Sequence, residues 1–251
     1  SGRSDLHTGG ALTVESGEGT ASTSGSLKIR TSNAGTNGAS GMLVFSSGTA
    51  SKGNSGMVMI GSGAATTGRG GSVSITVGSG SSGAGGYLRV MSGRSDEVTG
   101  GAVTVESGEG TASTSGSLKI RTANAGTNGA SGMLVFSSGT ASKGNSGMVM
   151  IGSGAATTGR GGSVSITVGS GSSGAGGYLR VMSGRSDEVT GGALTVESGE
   201  GTASTSGSLK IRTANAGATG ASGMLVFSSG TASSGNSGLV MIGSGAATSG
   251  R

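Results

Sequence analysis

The sequence predicts an all-β fold, a β-solenoid in which short parallel strands stack as successive coils. A repeat on two levels leads to this prediction. The segment SGRSD begins at Ser1, Ser92 and Ser183, so a unit of 91 residues recurs along the 251-residue chain. Inside each unit lies a shorter repeat of about fifteen residues, which begins with Gly and places two large apolar residues two positions apart.

The glycine that precedes each apolar pair defines the short repeat, and we number it position one. In the first unit these glycines follow at steps of 15 or 16 residues: Gly10, Gly25, Gly41, Gly56, Gly71 and Gly86. Position three is always Leu or Val, and position five is always Val, Ile or Phe. Such alternation, bounded by Gly and Ser, is typical of a strand with one face on a core. The core is therefore expected to include Leu27, Ile29, Leu43, Phe45, Val58, Ile60, Phe136 and Phe227.

Two coil sizes fit the repeat. In a coil of about 15 residues, the remainder of the repeat returns as a shorter strand with small inward side chains. In the alternative coil of about 30 residues, successive apolar pairs face each other across two sheets. We favour the smaller coil because it places Glu15 beside Arg30 and joins Met42, Val44, Met57 and Met59 into one outward patch.

The chain is expected to be one continuous solenoid segment, residues 1–251, with tandem units at 1–91, 92–182 and 183–251, the last partial. Each complete unit contains six short repeats. Residues 1–9 match the tail of a repeat, and neither end has the atypical sequence of a capping repeat. We therefore expect the sequence to be a window from a longer array.

Catalysis and metal binding find little support in the sequence. Acidic residues such as Glu15, Glu18, Asp96 and Glu97 return in later units, which is typical of a structural repeat. Only three Asp occur, too few for a calcium-binding β-roll, and His7 is the single histidine. We expect no enzyme activity, cofactor or metal. Two tyrosines give too few aromatic platforms for nucleic-acid binding, and no apolar run is long enough for a membrane span.

Exposed apolar residues are the strongest functional signal. Positions two and four, polar in most repeats, are apolar in the third and fourth repeats of every unit. An exposed apolar patch on a soluble protein usually marks a contact. We name this set the apolar strip and predict that it mediates side-to-side self-association: Met42, Val44, Met57, Met59, Met133, Val135, Met148, Met150, Met224, Val226, Leu239 and Met241.

Basic residues support an alternative function. Lys28, Arg30, Lys52, Arg69 and Arg89 contribute to a net charge of +5 and an isoelectric point near 10.1. A basic rod of this kind would adhere to an anionic polysaccharide or a mineral.

Segments such as GGSVSITVGSGSSGAG and GGALTVESGEGTASTS resemble the Gly/Ser-rich tandem-repeat cell-surface proteins of heterokont algae and related protists. The repeat length is also similar to the coil of fifteen-residue β-solenoid antifreeze proteins, although charged residues interrupt any regular Thr-x-Thr face. The first resemblance implies a structural role outside the cell or at its surface. We therefore predict a structural repeat protein of extracellular filaments or surface appendages, which stacks and associates laterally, with polyanion adhesion and ice binding as alternatives.

Overall fold

The structure is a computed structural model that describes residues 2–4 and 8–246. Neither a helix nor a β-strand occurs in these residues. The prediction of an all-β solenoid is therefore wrong, and so are both of its coil sizes. The described chain is an irregular coil, in which apolar segments alternate with short arcs at the spacing of the sequence repeat.

Most arcs are closed at the base by two glycines of the repeat. The position-one N–H donates to the carbonyl of the Gly eight residues earlier, as in Gly25 to Gly17 at 2.8 Å and Gly71 to Gly63 at 3.0 Å. Ten such bonds, from 2.8 to 3.1 Å, occur in the described residues. The seven residues between the two glycines form the arc, and the residues from position one to position eight form the apolar segment.

A hydroxyl group at position seven donates a hydrogen bond at five arc bases in the described residues. The Oγ of Ser16 donates to the carbonyl of Gly25 at 2.9 Å, and the Oγ of Ser153 donates to that of Gly162, also at 2.9 Å. In the second repeat, the Oγ1 of Thr31 bonds to the carbonyl of Gly41 at 3.2 Å. The position-one residue is thus held through both its amide and its carbonyl wherever the two bonds coincide.

Glycine is required at two kinds of arc position. At Gly19, a Cβ would lie 2.6 Å from the carbonyl oxygen of Ser22 and 2.7 Å from that of Thr23, so the arc closes only around a bare Cα. In the arc between the two Met-containing repeats, Gly53 has a φ of +92°, and its equivalents Gly144 and Gly235 have +90° and +96°. L side chains rarely adopt this conformation.

The arcs explain why the predicted strand ladder does not form. In a solenoid the position-one N–H would bond to a neighbouring coil, whereas in ten of the described repeats it bonds to the glycine eight residues earlier. Only two of about fifteen residues per repeat are large and apolar at positions three and five, which is little burial to offset the ordering of a Gly-rich backbone. Closure of the arcs gives some backbone amides and carbonyls a hydrogen-bond partner without ordering the whole repeat.

No residue is buried in the part of the chain that the structure describes. The eight predicted core side chains are between 48% and 75% exposed, so the core that the solenoid required is not formed: Leu27, Ile29, Leu43, Phe45, Val58, Ile60, Phe136 and Phe227. The accessible surface is 24979 Å². Two compact units of half the mass would together expose only about 12,000 Å².

The chain divides into two structural units, Ser1–Arg121 and Thr122–Arg251. The first contains arcs closed at Gly25, Gly71, Gly86 and Gly101. The second contains the equivalent arcs closed at Gly162, Gly177, Gly192 and Gly207. The same local structure therefore forms in both units wherever the sequence repeats.

Candidate association surface

The apolar strip is exposed along its whole length. Its methionines are 77–85% exposed, its three valines are each 61% exposed, and Leu239 is 79% exposed. In the first 91-residue unit the values are 84% for Met42, 61% for Val44, and 78% for both Met57 and Met59. These side chains have no covering segment in the described chain, so they are available to an external partner.

Exposure alone does not set the strip apart, because position-three and position-five residues are exposed as well. The difference lies in continuity. Residues 42–45 are Met-Leu-Val-Phe and residues 57–60 are Met-Val-Met-Ile, whereas other repeats place polar residues between their two apolar ones. Each of these two segments therefore presents four consecutive exposed apolar side chains, and the strip is part of a broader apolar surface than the sequence indicated.

The two apolar runs approach each other in the first structural unit. Phe45 from one repeat lines an open cavity of about 440 Å³ together with Val58, Met59 and Ile60 from the next. The lining combines position-three and position-five residues with Met59 of the apolar strip. Side chains that the sequence assigned to opposite faces thus contribute to one apolar surface.

The arc that connects these two runs lacks the closure seen in most arcs. It spans the residues between Gly48 and Gly56, contains Gly53 at positive φ, and carries Lys52 at its tip. No backbone hydrogen bond joins Gly56 to Gly48, although both glycines belong to the described residues. The runs are therefore linked through a base without the Gly-to-Gly bond that closes most other arcs.

Charged side chains in the described residues seldom pair. Arg94 and Asp96, within one arc, form an ion pair at 2.6 Å, and Arg185 and Asp187 form the same pair in the next unit. Glu15 and Arg30 form no ion pair in the described structure, so their predicted neighbourhood is not seen as a contact. The exposed Arg94–Asp96 pair adds little stability, since both side chains remain in water.

The remaining candidate chemistry does not converge on a site. Among residues 2–4 and 8–246, no three His, Cys, Asp or Glu side chains come together as metal ligands would. His7 lies outside the described residues. The same part of the chain contains no helix that is long and apolar enough to cross a bilayer.

The apolar strip stays a prediction from the sequence, and the arc bases were not predicted at all. Their signal in the sequence is Gly at position eight followed by Gly at the next position one, although Gly48 and Gly56 carry it without forming the bond. At residues 16–17, for example, Ser-Gly forms one end of a closed arc. Comparisons of the chain with protein-family models, with curated proteins and with solved structures found no match.

Proposed function

We propose that this chain is a structural repeat protein that associates side by side with copies of itself, through the apolar strip and the apolar residues beside it. The observation that supports this proposal is the exposure of a periodic apolar sequence. Hydrophobic residues make up 31% of the chain, yet none is buried in the described residues. A second copy of the chain is the proposed partner because its apolar residues recur at the same spacing.

Because the strip is periodic, individually weak contacts are sufficient for two chains to associate. The strip returns every 91 residues, at Met42, Met133 and Met224, so two chains in register meet several equivalent patches at once. Each additional patch binds at the effective concentration set by the first, and the total affinity rises without any new type of contact. Methionine suits such a surface because its unbranched, polarisable side chain adapts to imperfect packing.

The proposed setting is an extracellular filament or a surface appendage, as the resemblance to Gly/Ser-rich surface proteins implies. Stacking of solenoid coils, which we first expected to build the filament, is not part of the proposal because no solenoid coil forms in the described residues. Lateral association through exposed side chains does not depend on a solenoid. The chain is proposed to act without a cofactor and without enzymatic chemistry.

The test compares association of the unaltered chain with two variants by analytical ultracentrifugation. The strip variant replaces all twelve strip residues by Ser or Thr. The control variant makes the same kind of change at six exposed apolar residues of other repeats: Leu12, Val14, Val103, Val105, Leu194 and Val196. We expect the strip variant to remain monomeric and the control to associate. Equal loss in both variants, or none in the strip variant, would contradict the proposal.

Adhesion to an anionic polysaccharide or a mineral is the second candidate. It is favoured by the net charge of +5 and by cationic side chains such as Lys28 and Arg30, which form no ion pair in the described structure. Binding of a polyanion weakens steeply as salt rises, because counterions compete for the same charges. Retention on a sulfated-polysaccharide column that disappears at moderate salt would support this candidate.

A further inference from the structure

The sulfur atoms of the chain are concentrated on the apolar strip. Eight of its twelve residues are methionine, and the chain has ten methionines in total, the other two being Met91 and Met182. There is no cysteine. The methionine thioethers are therefore the sulfur atoms that an oxidant meets.

These thioethers are unusually accessible. Methionine in a folded protein commonly fills irregular gaps in the core, where oxidants reach it slowly. Here the strip methionines are 77–85% exposed, and even Met91 and Met182 are each 66% exposed. Burial protects none of them, so oxidation would not have to wait for local unfolding.

We propose that the strip methionines are a peroxide-sensitive modification site, and that their conversion to methionine sulfoxide switches off self-association. The switch rests on the proposed function, whereas the modification itself rests on exposure and chemistry alone. In the reaction, a sulfur lone pair attacks one oxygen of hydrogen peroxide and the O–O bond breaks. A sulfur–oxygen bond forms, and the other oxygen leaves as water after proton transfer. The sulfur loses two electrons and the peroxide gains them.

Sulfoxide formation changes the property on which the strip depends. It replaces a flexible apolar side chain by a polar, hydrogen-bonding one, which favours water over an apolar contact. Because Met57 and Met59 stand two residues apart with Val58 between them, two polar groups would interrupt one apolar run. The change recurs at Met148 and Met150, so the loss of affinity is multiplied over the repeats in the same way as the affinity itself.

The modification is reversible in principle. Methionine sulfoxide reductases return the sulfoxide to the thioether with a dithiol as reductant, and the oxygen leaves as water while the dithiol becomes a disulfide. Since the chain buries nothing in its described residues, oxidation has no core to disrupt. Reduction of the sulfoxides should therefore restore self-association as well as the original mass of the chain.

The chain itself indicates a matched control. At Leu239 the third unit carries leucine where the first and second carry Met57 and Met148, so leucine occurs naturally at this strip position. A strip-Leu variant replaces the eight strip methionines by Leu, which keeps apolar area and removes the reactive sulfur. A second variant carries only Met91→Leu and Met182→Leu, and so retains every strip sulfur.

The experiment treats the full chain and both variants with hydrogen peroxide and measures intact mass and sedimentation before and after. We expect about 16 Da per oxidised methionine and a loss of association of about tenfold or more in the unaltered chain and the Met91/Met182 variant. The strip-Leu variant should associate equally before and after treatment. Sulfoxide reductase with dithiothreitol should restore association of the oxidised chain.

Each other outcome refutes a separate statement. If mass shows complete sulfoxide formation and association is unchanged, the switch is wrong while the proposed function stands. If the strip methionines resist peroxide as buried ones do, the modification site is wrong. If the untreated chain does not associate at any concentration, the proposed function fails and the switch fails with it.

Discussion

Gly110 is the position at which one added methyl group should open an arc. A Cβ on this residue would lie 2.5 Å from the carbonyl oxygen of Thr114 and 2.7 Å from that of Ser113, and both atoms belong to the backbone. Because no flexible side chain can yield, Gly110→Ala must move the arc and break the 2.9 Å bond from the Gly116 N–H to the Gly108 carbonyl. Loss of one such bond costs about 1 kcal/mol, which corresponds to about a fivefold smaller closed population.

The matched control lies two residues away, at the base of the same arc. A Cβ on Gly108 would meet nothing within 4 Å, so Gly108→Ala changes the same residue type without a clash. Its effect should be neutral, or stabilising by about 0.4–1 kcal/mol through the reduced entropy of the open chain. Amide hydrogen exchange of Gly116, resolved by NMR, measures the closed population in both variants. Faster exchange in Gly108→Ala than in Gly110→Ala, or equal exchange in the two, would refute the closed arc.

Three further predictions concern the arcs. Ser153→Ala removes the hydroxyl bond to the Gly162 carbonyl at 2.9 Å but leaves the Gly162 N–H bond to Gly154, so exchange of the Gly162 amide should rise by about fivefold or less. Gly144→Ala places a side chain at a φ of +90°, which costs about 1–2 kcal/mol. NMR chemical shifts should therefore change throughout its arc. In the control Gly139→Ala, a Cβ has open space around it, so only the shifts of neighbouring residues should change. Arg94→Ala removes an exposed ion pair and should leave exchange of the Gly101 amide unchanged, and a clear rise there would show that the pair holds the arc closed.

The repeat itself could be predicted from sequence, and it determines where the arcs lie. Gly25, Gly71 and Gly86 were identified as the first residue of their repeats, and each is the donor that closes an arc. The apolar strip was identified from Met42, Met57 and their equivalents, and these side chains are exposed, as an association surface requires. Both results follow from local pattern, which a single sequence displays directly.

The hydrogen-bond partners of the glycines could not be predicted from the sequence. Alternation of Leu27 and Ile29 indicates that two side chains share a face, but not that another segment covers that face. The same glycines that permit a tight solenoid turn also permit Gly25 to reach back to Gly17. Whether a solenoid or closed arcs form depends on the balance between strand-ladder hydrogen bonds and backbone entropy. A chain with 59 glycines loses much conformational entropy when it becomes ordered.

Sedimentation velocity of the unaltered chain, over a range of concentrations at low salt and at about 1 M salt, tests the central proposal most directly. At about 1 M salt the Debye length falls to about 3 Å, so contacts between the basic and acidic side chains are screened while apolar contacts persist. We predict concentration-dependent association that is equal or stronger at high salt. A chain that sediments as a monomer at every concentration, or associates at low salt and dissociates at high salt, would contradict the proposal.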